Sequence, residues 1–213
     1  MSFLQFLSEN YMEVTISLIR HVQLVVIAVG IGIIISIPLG IFLTRYKKLA
    51  APVLAAAGAI QTIPGMVMLG IALIVFGIGM FPALVVLTLY AILPILRNTY
   101  AGIIGVNQGY IEAARGIGMT NMQILFHVEL PLSMPSIVSG IRISSVYIVS
   151  WATLAGLIGA GGLGDLIWTG LSTYKTNYIL AGAIPSAILA FIISGLMGLL
   201  QRIITPRGLR GNQ

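Results

Sequence analysis

Long apolar runs separated by short polar breaks make up this chain, with runs near 22–44, 49–79, 82–104, 132–158 and 177–204. A run of roughly 20 residues, rising ~1.5 Å per residue as a helix, is enough to cross the ~30 Å hydrocarbon layer of a bilayer. Lipid offers no partner to backbone N–H and C=O groups, so such runs must close their own hydrogen bonds as helices. The pattern predicts an all-α integral membrane protein of about five transmembrane helices, one transmembrane domain over 1–213. The second run is anomalous: it is longer than one crossing needs, and Pro64-Gly65 interrupts it. It is either one kinked crossing or a crossing plus a shorter re-entrant piece.

The break at 105–131 differs from the others. From Glu112 to Pro131 it reads EAARGIGMTNMQILFHVELP, polar and broken by glycine. Ile111, Ala114, Gly118, Met122 and Leu125 recur at three- and four-residue spacing, with Arg115, Asn121 and Gln123 on other faces. This is an amphipathic pattern, and it predicts short helices lying across the ends of the spans. Glu112 is expected near a helix start, where the macrodipole favours it, and paired with Arg115. Ala113 and Ala114 keep the helix surface low. Gly116 and Gly118 are expected to turn the chain between two helices, and Pro131 to close the segment before the next span.

Composition settles the class. With 58% hydrophobic and 8% charged residues and a mean hydropathy of +1.07, the chain cannot hide its apolar surface in one water-soluble core. The first twenty residues contain Glu9 and Glu13 and lack a basic start followed by an apolar run, so the first stretch is expected to be retained rather than cleaved. There are no cysteines, which removes disulfides and thiolate metal sites.

Charge then orients the chain. If 105–131 faces the cytoplasm, the run before it travels inward and residue 80 lies outside. Arg45, Lys47 and Lys48 favour the inside, so 49–79 must cross an odd number of times, and its length allows one. Arg45, Lys47, Lys48, Arg97, Arg115, Arg142, Arg202, Arg207 and Arg210 then fall on the cytoplasmic side, with Arg20 and Lys175 outside. The N-terminus is out and the C-terminus in. Arg97 and Arg142 lie near the inner ends of their runs and are expected to snorkel to the headgroups. The net charge of +6 thus has a topological origin, with no call on nucleic acid. Apart from those two arginines the spans hold no ionisable group, unlike the relays of ion-coupled carriers. No pair of repeated halves is visible. The energy for any transport must come from another subunit.

The segment at 108–131 resembles the coupling element of ABC importer permeases. The family pattern is Glu-Ala-Ala, three residues, Gly, nine residues, an aliphatic residue, any residue, Leu-Pro; here Glu112, Ala113, Ala114, Gly118, Val128, Leu130 and Pro131 occupy those positions, with Val where Ile is usual. Gln61-Thr62-Ile63-Pro64, Leu93 to Tyr100, Trp151 to Ala155, Gly159 to Asp165 and Thr205 to Leu209 resemble osmoprotectant permeases for glycine betaine, carnitine and choline. The resemblance implies a multi-pass subunit of a bacterial cell membrane and a cytoplasmic ATPase dimer that holds ATP and Mg, with no cofactor in this chain. It also implies a second permease subunit, identical or paralogous, and an extracellular solute-binding lipoprotein. The chain ends soon after Ile204, so the binding protein and ATPase are expected on separate polypeptides.

The resemblance places Gly159, Gly161, Gly162, Gly164 and Asp165 in a turn near an outer gate. That run fits the dinucleotide fingerprint but follows a membrane helix instead of a strand; a tight turn with Asp165 as N-cap of a helix through Ser172 is expected. Tyr90, Tyr147 and Trp151 are candidates for a pathway that holds a trimethylammonium group by cation–π attraction, with Thr153 beside them. Three rivals remain. Methionine importers have a similar length and topology. A non-transporting anchor for an ATPase would keep the coupling segment but lose a polar path, whereas Thr88, Asn98, Thr99, Ser144, Ser145, Ser150 and Thr153 suggest a path retained. A membrane-embedded enzyme lacks support: His21 and His127 lie far apart, no metal-ligand motif occurs, and Gly170-Leu171-Ser172-Thr173-Tyr174 lacks the second glycine of a nucleophile elbow.

Overall fold

The computed structural model describes residues 2–205. Arg207, Arg210 and the Pro206 to Leu209 part of the resemblance lie outside the described residues. Helices in chain order are α1 (Phe3–Glu9), α2 (Tyr11–Arg45), α3 (Lys47–Thr62), α4 (Gly65–Phe76), α5 (Met80–Ile104), α6 (Gln108–Gly116), α7 (Asn121–Ile124), α8 (Leu130–Leu154), α9 (Leu163–Thr173) and α10 (Thr176–Ile204). A π turn, Leu125–Glu129, leads into α8 and a 3-10 turn, Ala155–Ile158, leaves it. Four stretches, Tyr11–Arg45, Met80–Ile104, Asn121–Ile158 and Thr176–Ile204, are each long and apolar enough to span a bilayer. The fifth expected crossing is the pair α3 and α4, bent by 91° at its break.

The two ends of the bundle identify what that broken pair does. Gly79 donates its N–H to the Ile158 carbonyl, and Gly161 lies against Arg20, so residues 20, 79 and 158–161 share one end. Arg45, Lys47, Gln108 and Glu129 line one cavity at the other. The pair α3–α4 leaves from the Lys47 end and arrives at Gly79, so it passes from one end to the other once. The cause of the break is local. Pro64 has no N–H to continue the helix and pushes Ile63 to an extended conformation with ψ 129°.

Helix α2 begins earlier than the apolar run beginning at 22. Its first turns stand clear of a single bilayer thickness and pack Val14 and Leu18, with Phe6 of α1, against Leu163, Leu166 and Ala181. The main core forms where α2, α5 and α8 meet, around Leu24, Ala28, Leu87, Ala91, Ile148 and Ala152. Lipid tails are as apolar as leucine, so contact between spans depends on close packing. Small residues supply it: a Cβ on Gly32 would touch Ala91, one on Gly40 would overlap Thr99, and one on Gly140 would overlap Asn98.

A proline inside α5 accounts for one interhelical hydrogen bond, and two others fall on the adjacent carbonyls. Pro94 in α5 has no N–H to bond the Tyr90 carbonyl four residues back. The Tyr90 carbonyl accepts instead from Gln61 Nε2 at 3.0 Å, the Ala91 carbonyl from Ser144 Oγ at 3.0 Å, and the Ile92 carbonyl from Ser36 Oγ at 3.1 Å. Ser144, expected on a polar path, is thus buried between helices, and Ser145 bonds its own helix at Ile141. Thr88 and Thr99 are buried too. These four residues are buried between helices, whereas Asn98 is half-buried and Ser150 exposed. Arg142 is half-buried, its guanidinium donating to Ser194 Oγ of α10.

Candidate functional site

Three groups of residues were singled out by sequence, and the fold places them at three levels. The first is a knob at the inner end. Helix α6 starts at Asn107, whose side chain accepts from the Gly109 N–H at 2.8 Å, and ends as Ile117 and Gly118 turn away. Gly118 has φ +86°, in the left-handed region that only glycine enters cheaply; the bend falls there and not at Gly116. Helix α7 opens with a reciprocal cap: Thr120 N–H donates to Gln123 Oε1 at 2.8 Å, and Gln123 N–H donates to Thr120 Oγ1 at 3.4 Å.

Beneath the knob, Val106, Ile111, Ala114 and Ile124 form a small core with Met119, Val128 and Leu132. The expected stripe is therefore corrected at Met122, which is 64% exposed, because the break at Gly118 resets the helical phase. Ile124 takes its place. Glu112 lies in the second turn of α6, not at its start, and makes no ion pair with Arg115. Glu112 and Ala113 are exposed, as are Tyr110, Ile117 (80% exposed), Met122 and Phe126 of the same segment. Large apolar side chains exposed on a segment outside the spans are what a contact surface would need. Leu130 is half-buried and Pro131 exposed. Pro131 does not close the segment: the Leu130 N–H reaches the Leu125 carbonyl five residues back, and this π turn carries the chain into α8 without a break. Widening the turn there gives room for a proline ring that would otherwise strike the preceding carbonyls.

The second group meets at the break between α3 and α4. Gln61, Tyr90, Tyr147 and Trp151 line a cavity of about 250 Å³. Tyr90 and Trp151 stack with ring centroids 4.7 Å apart and 25° between planes. The Tyr90 hydroxyl donates to the carbonyl of Ile63 at the end of α3, a group the break leaves without a helical partner. Trp151 fits only because Gly65 has no side chain; a Cβ there would lie within the indole. Tyr147 lines the cavity while 54% exposed. Thr153 is not among the lining residues; its hydroxyl bonds the Ser150 carbonyl. Sequence reasoning missed Gly65 and the role of Gln61. A signal was present in Pro94, four residues after Tyr90, since it frees the carbonyl that Gln61 takes.

The third group closes the outer end. Gly159, Gly161 and Gly162 all have positive φ, between +69° and +89°. Cβ atoms on Gly161 and Gly162 would press on Arg20 and His21, and one on Gly164 would enter the Thr153 backbone. His21 is fully buried, its Nε2 3.1 Å from the Val149 carbonyl. Trp168 Nε1 donates to the Thr153 carbonyl at 3.2 Å. The N-cap of α9 is Gly162, and Asp165 lies within its first turn, with the helix ending at Thr173; this corrects the expected cap. Burial pushes the Asp165 carboxyl above its ordinary range, and the charge of Arg20 opposes that shift. No strand precedes this turn, so its glycines form no nucleotide cradle.

Residues 22–209 match the family described as binding-protein-dependent transport system inner membrane component. The chain is 46% identical to a glycine betaine/carnitine/choline transport system permease protein of Bacillus subtilis, over 97% of this chain and 95% of that protein. It is 43% identical to a carnitine transport permease protein of Listeria monocytogenes, over 96% and 94%. An osmoprotectant import permease protein of Salmonella typhimurium is 42% identical, over 90% and 91%. Among solved structures, a chain of a methionine ABC transporter in inward-facing conformations superposes with a TM-score of 0.83 at 24% identity, covering 93% of this chain and 99% of that one. That likeness shows the fold.

Proposed function

Because this chain belongs to the family of binding-protein-dependent transport system inner membrane components, we propose that it is the membrane path for quaternary ammonium osmoprotectants such as glycine betaine, carnitine and choline. It is a multi-pass permease subunit of an ABC importer, and it is a transport subunit rather than an enzyme. The observation that carries the substrate reading is the 46% identity, over nearly the whole chain, to a permease of a glycine betaine/carnitine/choline system.

The aromatic cavity suits such a solute. A trimethylammonium group is attracted to ring faces within ~6 Å, and Tyr90, Tyr147 and Trp151 surround the space. The C-terminal end of α3 points its partial negative charge toward the same place. Attraction there is weak by design, since a solute handed over by a binding protein must also be released. An ATPase dimer in the cytoplasm binds ATP and Mg and grips the knob through exposed Glu112 and Ala113, with Gly118 setting its bend and Ala114, expected on the contact surface, packed in the core beneath. A second permease subunit and an extracellular solute-binding lipoprotein complete the assembly. The chain itself needs no cofactor.

Uptake of labelled glycine betaine, carnitine, choline and methionine, in cells lacking their own osmoprotectant importers, tests the substrate. Accumulation of methionine alone would overturn the reading. For the knob, Glu112→Lys and Gly118→Val are expected to leave insertion intact and abolish uptake, with the ATPase no longer co-purifying. A left-handed Val costs about 1–2 kcal/mol locally, too little to unfold the bundle.

A further inference from the structure

The salt bridge seen among the described residues joins Arg45, the last residue of α2, to Glu129, the last residue of the π turn between knob and α8. The contact is bidentate: Nη1 donates to Oε1 at 3.2 Å and Nη2 to Oε2. Glu129 is buried at 5% exposure, so its carboxylate has little water to fall back on and depends on this guanidinium. Thr44, Lys47, Gln108 and Arg115 face the same cavity, of about 310 Å³. Lys47 and Arg115 have no carboxylate partner among the described residues.

The placement matters more than the pair's strength. Helix α2 packs along α8, into which the π turn runs, but not extensively on α6, α7 or the π turn itself, so the ion pair is the direct link between the knob's exit and the end of α2. At its far end the same helix holds Arg20 and His21 against Gly161 and Gly162 of the outer turn. The helix is continuous from Tyr11 to Arg45, with Pro38 inside it, and so links the knob's exit to the outer turn, the two places that must move in turn. Glu129 stands at the unspecified position of the family pattern, between Val128 and Leu130.

We propose that Arg45 and Glu129 are positioning residues that hand displacement of the knob to α2, and so couple ATP hydrolysis to opening of the outer end. The proposal rests on the importer reading above. Its test uses the complete importer, with ATPase and binding protein, in proteoliposomes, measuring labelled glycine betaine uptake and ATP hydrolysis together. Glu129→Gln keeps the side-chain shape and removes the charge; Arg45→Gln does the same from the other side. Both are expected to assemble normally and to hydrolyse ATP near the wild-type rate. Uptake per ATP should fall roughly tenfold, within the usual range of coupling energies. Restoration of part of that ratio by the reversed pair, Arg45→Glu with Glu129→Arg, would strengthen the assignment.

An unchanged ratio in both single variants would overturn the proposal. So would uptake and hydrolysis falling in proportion, or loss of assembly in Glu129→Gln, either of which would assign the pair to folding alone. The wild-type control separates the two readings. If it imports no quaternary ammonium solute the substrate assignment has failed, whereas normal import with normally coupled variants defeats only the role given to this pair.

Discussion

A methyl group on Gly65 would lie inside the six-membered ring of Trp151, and the stack of Trp151 on Tyr90 leaves the indole nowhere to retreat. Gly65→Ala is therefore expected to displace the indole and deform the aromatic cavity. Overpacking of this kind costs about 1–3 kcal/mol, which the bundle should survive, so the protein should insert and bind its ATPase while solute uptake fails. Uptake assays and co-purification on the same membranes check both halves. The sequence named Tyr90, Tyr147 and Trp151, since aromatic residues near the ends of spans stand out. It gave no sign that Thr153 turns away from them, because the direction of a side chain at a helix end depends on the 3-10 turn that follows. Asp165 offers a second test. Its carboxyl is raised by burial, so the proton is held more firmly folded than unfolded. Its favourable contribution is complete below the ordinary carboxylate range and is lost as pH rises through the raised value. Asp165→Asn should accordingly gain stability over the wild type as pH increases toward neutrality. The gain should be about 1 kcal/mol for a largely buried carboxyl whose charge Arg20 partly offsets, read as a difference in thermal midpoints in detergent at several pH values.

Among elements, the spans were legible and the knob only partly so. Apolar length and the need to satisfy backbone groups in lipid decide where α2, α5, α8 and α10 lie, and Pro64 marks the break between α3 and α4. The knob depends on finer geometry. One glycine with positive φ resets the helical phase, so a stripe that looks continuous from Ile111 to Leu125 is two faces, with Met122 out and Ile124 in. The π turn was invisible for a different reason: an extra residue in a helix leaves no mark in a hydrophobic pattern, and Pro131 reads as a stop when it stands in a widened turn. The extra residue has a consequence. Deleting Phe126 would let the turn relax to α-helix, rotating α6 and α7 by about 100° about the axis of α8. The exposed surface of Tyr110, Glu112, Ala113 and Ile117 would then face elsewhere. The deletion is expected to leave the spans in place and abolish ATPase binding, measurable by pull-down from solubilised membranes. Phe126→Ala, which keeps the turn and loses only one exposed side chain, should weaken that binding far less.

At the scale of the whole molecule, orientation follows from charge and continuity together. Arg45 and Glu129 mark one end of the bundle, the end that the positive-inside bias of the sequence would place in the cytoplasm. The Gly79 to Ile158 hydrogen bond and the contact of Gly161 with Arg20 fix the other. The broken pair α3–α4 must connect them, and a re-entrant hairpin returning to its starting side would leave Gly79 at the wrong end. Natural absence of cysteine makes this testable in the intact protein. Single cysteines at Tyr174 and Ile117, 94% and 80% exposed, report on opposite ends, and Ile78, 81% exposed, reports on the end of the broken pair. A membrane-impermeant maleimide applied to intact cells should label the cysteines at 174 and 78 and spare that at 117, which should react only in inverted vesicles. Labelling of 78 from the inside would mean that the pair turns back within the bilayer. The inner-end assignment of Arg45, and with it the connection of the knob to α2, would then need a different path through the bundle.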